Sequence, residues 1–290
     1  MTEPDPWAEL STPPGPPGSG RQRYGAAMAL HRAGSLGDAA LEVYRIAAAR
    51  DAIDPRLLLA DRGIDLPAAA AAALPEALIC ALVEEADRYL AALPGPGVAE
   101  VRAGLAAARG GAVTPRAARP DPVVAAHLPA ALHGLTASHP ALAQAIAAAA
   151  PVLAWQPYDG YPPEAIGDSF SRSHSAAVII GGAAPIAALD FDFGLFLIAP
   201  HVLYRDHHHS APELYAPLTG PHGWRFGPDR PLAILAAHTP VWNPPNRPHL
   251  TKVGPVPFLC LYAWTRDVDL PAHVLPAHDW PVLEALRLVV

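Results

Sequence analysis

After Pro151 the chain changes its periodicity, and that change limits the folds open to it more than any other feature. Short runs rich in β-branched and aromatic residues follow one another: Ala177 to Ile180, Leu189 to Phe193, Leu195 to Leu203, Leu214 to Leu218, Trp224 to Phe226, Leu232 to Leu235 and Phe258 to Trp264. Gly, Pro and Asn separate them. Such residues suit a pleated, half-buried surface, and the separators supply turns, so many short strands at close spacing predict a β-sandwich or barrel. The terminal stretch Trp280 to Val290 is expected to be a short covering helix.

Before Pro151 the pattern is helical. From Asp38 the chain places Leu41, Tyr44 and Ile46 near one stripe, and Glu76 to Leu93 carries Leu78, Leu82, Tyr89 and Leu93 at mixed spacings of three and four. Residues 94–97 (PGPG) and 109–111 (RGG) punctuate these helices, and Pro67 after Asp65 suits a first turn, where its missing N–H would be unpaired anyway. Residues 1–23, rich in Pro, Gly and Ser, lack an apolar face and are expected to be a flexible, disordered tail. The predicted organisation is therefore a tail over 1–23, an α-helical region over 24–150 and a β-rich domain over 151–290.

With 290 residues the chain has ample length to bury a core without covalent staples. Cys80 and Cys260 lie far apart in apolar runs, as buried thiols do, which argues against a disulfide framework. The net charge of −7, with no dense Lys/Arg stripe, excludes a nucleic-acid partner. The most apolar stretch, Leu66 to Val83, is interrupted by Pro75 and Glu76 and rich in alanine, so it reads as a buried helix and not a membrane span. The start, MTEPDPW, lacks the basic and apolar regions of a secretory signal, and a cytoplasmic protein is expected. A homodimer is left open.

The informative chemistry lies between His207 and His249. Residues two apart on a strand share a face, so the imidazoles of His207 and His209 can converge on one ion while His208 points away. Glu213 adds a carboxylate after a turn. His249 arrives on a separate segment of prolines and asparagines, residues 243–248, and completes three nitrogens and one oxygen. That set suits one divalent transition metal, whether zinc, iron(II), manganese, cobalt or nickel. His127, His133, His139, His201, His222 and His238 have no comparable spacing and read as structural or surface residues.

His207, His209, Glu213 and Gly220 stand at the intervals of the first cupin motif, and the chain resembles the cupin superfamily, although His201 replaces the customary leading glycine. A finer resemblance is to the cupin-type bacterial dimethylsulfoniopropionate lyases. It is carried by residues 207–215 (HHHSAPELY), 217–220 (PLTG) with Trp224 beyond, 243–249 (NPPNRPH) and 257–264 (PFLCLYAW). It implies a mainly β carboxy-terminal cupin, a double-stranded β-helix or jelly-roll barrel, preceded by an α-helical region. It also implies β-elimination of a small-molecule substrate to dimethyl sulfide and acrylate.

That reaction needs a cation against the substrate carboxylate, a base for a carbon-bound proton, and a site for a sulfonium. Tyr215 shares the parity of Glu213 and is the expected base, its phenol lowered from about 10 by a nearby cation. A sulfonium carries charge without donors and prefers aromatic faces, for which Tyr204, Trp224, Trp242, Tyr262 and Trp264 are the candidates. The same ligand set also suits another metal-dependent cupin enzyme, a dioxygenase or isomerase, and a non-catalytic cupin that senses a small molecule.

Overall fold

The computed structural model describes residues 6–67, 74–228 and 230–288, and the chain divides into two compact units, Met1–Cys80 and Ala81–Val290. In the first unit, helices α1 (Pro6–Leu10), α2 (Ser19–Arg32), α3 (Asp38–Ala47) and α4 (Pro55–Asp61) enclose a core that includes Leu10, Ala27, Leu30, Val43, Tyr44 and Leu59. The stripe of α3 that faces this core is Ala40, Val43, Tyr44 and Ala47, so Leu41 and Ile46 flank it and do not form it.

Where a flexible tail is expected over 1–23, the described part of that stretch holds α1 and the start of α2. Long-range contacts explain the difference. The Asp51 carboxylate accepts the N–H groups of Gly18 (2.9 Å) and Gly20 (2.8 Å). The buried Arg23 guanidinium donates to the carbonyls of Thr12 (3.0 Å), Asp51 (3.3 Å) and Ile53 (3.1 Å). Apart from Thr12, these partners sit some thirty residues away, and local composition does not include them.

Helix α5 (Pro75–Ala91) contains the division between the units, and the helix start expected after Pro67 falls on residues 68–73, outside those described. Cys80 is exposed on α5, not in a core, whereas Cys260 is buried. Among the described residues no helix is long and apolar enough to cross a membrane. The second unit continues with α6 (Val98–Ala108), α7 (Pro122–Ser138) and α8 (Pro140–Ala149). Asp121 caps α7 by accepting the N–H groups of Val123 and Val124, each at 2.9 Å. Two short helices, α9 (Pro163–Ile166) and α10 (Asp168–Ser171), lead into the strands.

The strands are β1 (His174–Gly181), β2 (Ile186–Ala187), β3 (Asp192–Ile198), β4 (Leu203–His208), β5 (Glu213–Pro217), β6 (His222–Arg225), β7 (Ala233–Leu235), β8 (Val241–Asn243), β9 (His249–Lys252), β10 (Phe258–Trp264) and β11 (His273–Val274). They form a six-stranded sheet in the order β2-β1-β3-β10-β5-β8 and a five-stranded sheet in the order β11-β4-β9-β6-β7. Phe196, Tyr215 and Cys260 of the first sheet share one buried cluster with Tyr204 and Trp224 of the second, so the core lies between the sheets.

Two strand expectations change, and two strands, β8 and β9, lie outside the expected runs. The run from Leu189 is a turn, with Leu189 96% exposed and Asp190 at positive φ, and β3 begins only at Asp192. The run from Leu195 to Leu203 breaks after Ile198, because His201 takes positive φ and sends the chain into the other sheet as β4. Strands β8 and β9 carry no apolar run. Lys252 is fully buried in β9 with its ammonium on the carbonyls of His201 (2.6 Å) and Glu284 (3.0 Å), so polar contacts do what side-chain apolarity does elsewhere. The expected carboxy-terminal helix is α11 (Trp280–Ala285), tied to the β4–β9–β6 region by Arg205–Glu284 (2.7 Å) and by the Trp280 indole on Asp206 (2.8 Å).

Candidate metal centre

Antiparallel pairing of β4 with β9 sets His207 directly opposite His249. His209 follows at the end of β4, and its carbonyl accepts the Asn246 N–H at 2.8 Å, which holds the proline-rich turn that delivers His249. Asn246 itself takes positive φ, a conformation that Asn tolerates better than most residues. His208 leaves this face and pairs across β11 with His273. Glu213 opens β5 and enters from the opposite sheet. His207, His209, Glu213 and His249 are all buried, at 0, 3, 2 and 0% exposure.

Each imidazole is oriented by the nitrogen that faces away from the centre. The Nδ1 atoms of His207, His209 and His249 lie 2.8, 2.7 and 2.9 Å from the carbonyl oxygens of Arg205, Ala211 and Arg247. A carbonyl only accepts, so each Nδ1 carries a proton; the Nε2 atoms of His207 and His249 can then present lone pairs inward, while that of His209 meets the Glu213 carboxylate. One ring nitrogen from each of the three histidines lies within 4.8 Å of the others. Glu213 Oε2 stands 3.0 Å from His209 Nε2 and 3.3 Å from His249 Nε2, and Glu213 Oε1 accepts the Trp264 indole N–H at 2.8 Å.

The electrostatics agree with this geometry. Burial pushes the His207 imidazole well below its ordinary value, and the neighbouring imidazoles of His249 and His209 push in the same direction. Burial would raise the Glu213 carboxyl, but His209 and His249 outweigh it and hold the group below the usual carboxylate range. The Nε2 atoms of His207 and His249 have no hydrogen-bond partner although both are buried, and the 3.3 Å approach of Glu213 to His249 is an ion-pair distance without hydrogen-bond geometry. Buried lone pairs without partners are costly, and two inward imidazole nitrogens with a carboxylate beside them fit a divalent cation. The buried histidine triad can hold a metal.

Around the triad, Tyr215 shares the face of Glu213 on β5 and lies opposite Tyr262 on β10. Its ring is 6.0 Å from that of His249 and 5.5 Å from that of Trp224, and burial and then Glu213 push its phenol well above the ordinary value. Tyr204 stacks on His207 at 4.0 Å, and Trp264 lies against His209 at 4.6 Å. Trp224 and Tyr262 also border the core cluster. Trp242 does not join them. It pairs with Leu214, on the face of β5 opposite to Glu213 and Tyr215, and its ring fills the space beside Gly97, where a Cβ would come within 2.0 Å of it. The expectation that Trp242 lines the substrate site is therefore corrected by strand parity.

Reasoning from motifs also missed the segment before β1. Tyr161 places its hydroxyl 2.9 Å from that of Tyr204 and its ring 5.8 Å from that of His207, and Phe170 stacks on Tyr204 at 4.0 Å. The aromatic density of residues 155–161 (WQPYDGY) was the one available signal.

The family described as dimethylsulfoniopropionate lyase matches residues 99–260, more than half of the chain. The chain belongs to the dimethylsulfoniopropionate lyase family. The match takes in the triad, Glu213 and Tyr215, and stops within β10. Among solved structures, one described as dimethylsulfoniopropionate lyases RdDddP and RnDddQII is similar at 21% identity and a TM-score of 0.52, over 70% of this chain and 100% of that one. The lyase DddQ from Ruegeria pomeroyi DSS-3 is similar at 23% identity and a TM-score of 0.49, over 68% of this chain and 95% of that one. A cupin-like protein from Thermotoga maritima matches 36% of this chain and 77% of its own at 16% identity and a TM-score of 0.32. The first of these likenesses is one of fold. No curated protein matches the chain.

Proposed function

We propose that this member of the lyase family is a metal-dependent carbon–sulfur lyase that splits dimethylsulfoniopropionate into dimethyl sulfide and acrylate. The observation that carries the reading is the set of buried imidazoles whose outer nitrogens are all pinned to carbonyls, beside Glu213 and on the same side as Tyr215. His207, His209, Glu213 and His249 would hold one divalent ion, zinc, iron(II), manganese, cobalt or nickel. When bound, such an ion supplies positive charge against the substrate carboxylate and stabilises the negative charge that grows on it in the transition state.

Tyr215 is the proposed base. Its phenolate oxygen takes the proton on the carbon next to the carboxylate, that C–H pair becomes the carbon–carbon double bond, and the carbon–sulfur pair leaves with dimethyl sulfide. The buried setting raises the phenol, so the role needs the opposing charge of the filled site. Trp224, Tyr262 and Trp264 offer ring faces to the sulfonium and exclude water from the reacting carbon, whereas both faces of Tyr204 are covered, by His207 and Phe170.

We further propose that residues 151–290 form a cupin, a double-stranded β-helix, after a helical region, and that the protein acts in the cytoplasm. Two sheets, antiparallel except for the β1–β2 edge pair, with the buried polar residues His207, Glu213 and His249 between them, support the first statement. Incubation of the purified protein with dimethylsulfoniopropionate, with headspace detection of dimethyl sulfide and parallel metal analysis, tests the function. Acrylate and dimethyl sulfide in equal amounts are expected. Bound metal without either product removes this reading.

A further inference from the structure

A column of stacked rings leads away from the candidate centre. His207, Tyr204, Phe170 and His174 follow one another with centroid separations of 4.0, 4.0 and 3.9 Å and interplanar angles of 20°, 9° and 9°. Phe170 lies in α10 and His174 opens β1, so the column joins two elements that the ligands themselves do not use.

At the far end, both nitrogens of His174 are engaged. Nδ1 lies 2.6 Å from the Phe170 carbonyl and therefore carries the proton, and Nε2 accepts the backbone N–H of Tyr158 at 2.8 Å. His174 is 2% exposed, and burial lowers its pKa, which keeps the ring neutral and Nε2 an acceptor.

The chain from Gln156 to Tyr161 is fixed at three points. Gln156 pairs with Ala176 of β1, Tyr158 donates its N–H to His174, and the Tyr161 hydroxyl meets that of Tyr204. Between the last two, Gly160 gives the Tyr158 side chain its room, since a Cβ there would lie 2.5 Å from the Tyr158 hydroxyl. The outcome is that Tyr161, 6% exposed and carried on a segment outside the strands, stands edge-on to His207.

We propose that His174 is a positioning residue that holds the 156–161 segment so that Tyr161 forms a wall of the substrate pocket, against the cationic end of a small onium carboxylate. The substrate named here rests on the lyase reading, while the tether does not. His174→Phe keeps a ring in the column and removes the acceptor for the Tyr158 N–H. His174→Gln restores an acceptor and removes the ring.

In His174→Phe, amide exchange of residues 158–161 should accelerate about tenfold or more, and KM should rise about tenfold with kcat within about twofold, because uniform binding is lost and the reacting groups are untouched. The absorption spectrum of the cobalt-substituted protein should not move. His174→Gln should bring exchange and KM back toward wild type. If His174→Phe does not fold, Tyr161→Leu should show the same rise in KM with an unchanged cobalt spectrum. Unchanged exchange in His174→Phe overturns the proposal. So does a cobalt spectrum that shifts together with KM, since His174 would then act through the ring column on His207. If wild type releases no dimethyl sulfide, the lyase reading fails, and the exchange comparison still decides whether His174 is the tether.

Discussion

His207 and His249 face each other across the β4–β9 pair, and each donates its Nδ1–H to the carbonyl two residues before it, Arg205 and Arg247. The two imidazoles are thus held by the backbones of the strands that carry them. Their Nε2 atoms are fixed inward before any ligand arrives, as a preorganised site requires.

Removing one of these rings should open the site. Purified wild-type protein is expected to carry about one transition metal per chain, and His249→Ala should lose most of it, because a ligand and its oriented lone pair disappear together. His208→Ala, which changes a ring on the other face, should keep it. Metal analysis of the three proteins after identical purification decides the matter, and equal loss in both variants would show that the site is wrongly assigned.

Tyr215→Phe removes a single hydroxyl inside the aromatic cluster. Metal content and unfolding midpoint should stay within error, while the elimination rate falls by at least the ~10² typical of a positioned general base. Single-turnover release of dimethyl sulfide, measured beside metal content, separates a base from a ligand. Undiminished turnover would move the role to another residue.

Recognition of a cation by ring faces should be visible in competition. A substrate analogue with a quaternary ammonium in place of sulfonium should inhibit dimethyl sulfide release more strongly than the neutral thioether acid. The expected gap is about two- to thirtyfold, from a cation–π contribution of roughly 0.5–2 kcal/mol. Equal inhibition by the two compounds argues against an aromatic onium site.

Beneath the site, Asp206 is fully buried and bonded to Arg225, which is 2% exposed and also reaches Asp279 beside α11. Asp206→Ala leaves the guanidinium buried without its main partner and frees the Trp280 indole. It should cost about 3–5 kcal/mol of unfolding free energy. Denaturant unfolding of the variant is the measurement, and a loss below about 1 kcal/mol would mean that water reaches Arg225.

His222 supplies a test in pH. Its Nδ1 accepts the Gly254 N–H at 3.1 Å, and burial lowers its pKa from 6.5 to about 4. A depressed imidazole means that the unfolded chain binds the proton first. Its contribution to stability is therefore complete above pH 6.5 and is lost as pH falls toward 4. The difference in unfolding free energy between wild type and His222→Gln should shrink by about 3 kcal/mol between pH 7 and pH 4. A constant difference would show that His222 is protonated in the folded protein as easily as in the unfolded one.

Several features of the centre are legible in the order of residues alone. The alternation of side chains along a strand puts His207 and His209 on one face, Glu213 and Tyr215 on one face, and His208 elsewhere, and pairing observed in the structure agrees. This period is a property of local backbone stereochemistry, which needs no knowledge of the rest of the chain. The same holds for the helical character of α3 and α5 and for strands such as β10, whose β-rich run is continuous.

Tertiary structure alone decided which strand lies beside which, and so which faces meet. Trp242 and Tyr204 are both aromatic residues near the motif, yet one packs outward against Gly97 and the other stacks on His207. No local pattern distinguishes them, because the choice depends on the register between β5 and β8 and on the path from β3 to β4. Tyr161 and His174 reach the site through a segment with no motif, and residues 6–23 are ordered by Asp51 and by carbonyls about thirty positions away. Hydrogen bonds and burial between distant parts of the chain set these placements, and their free energy exists only once the chain has folded.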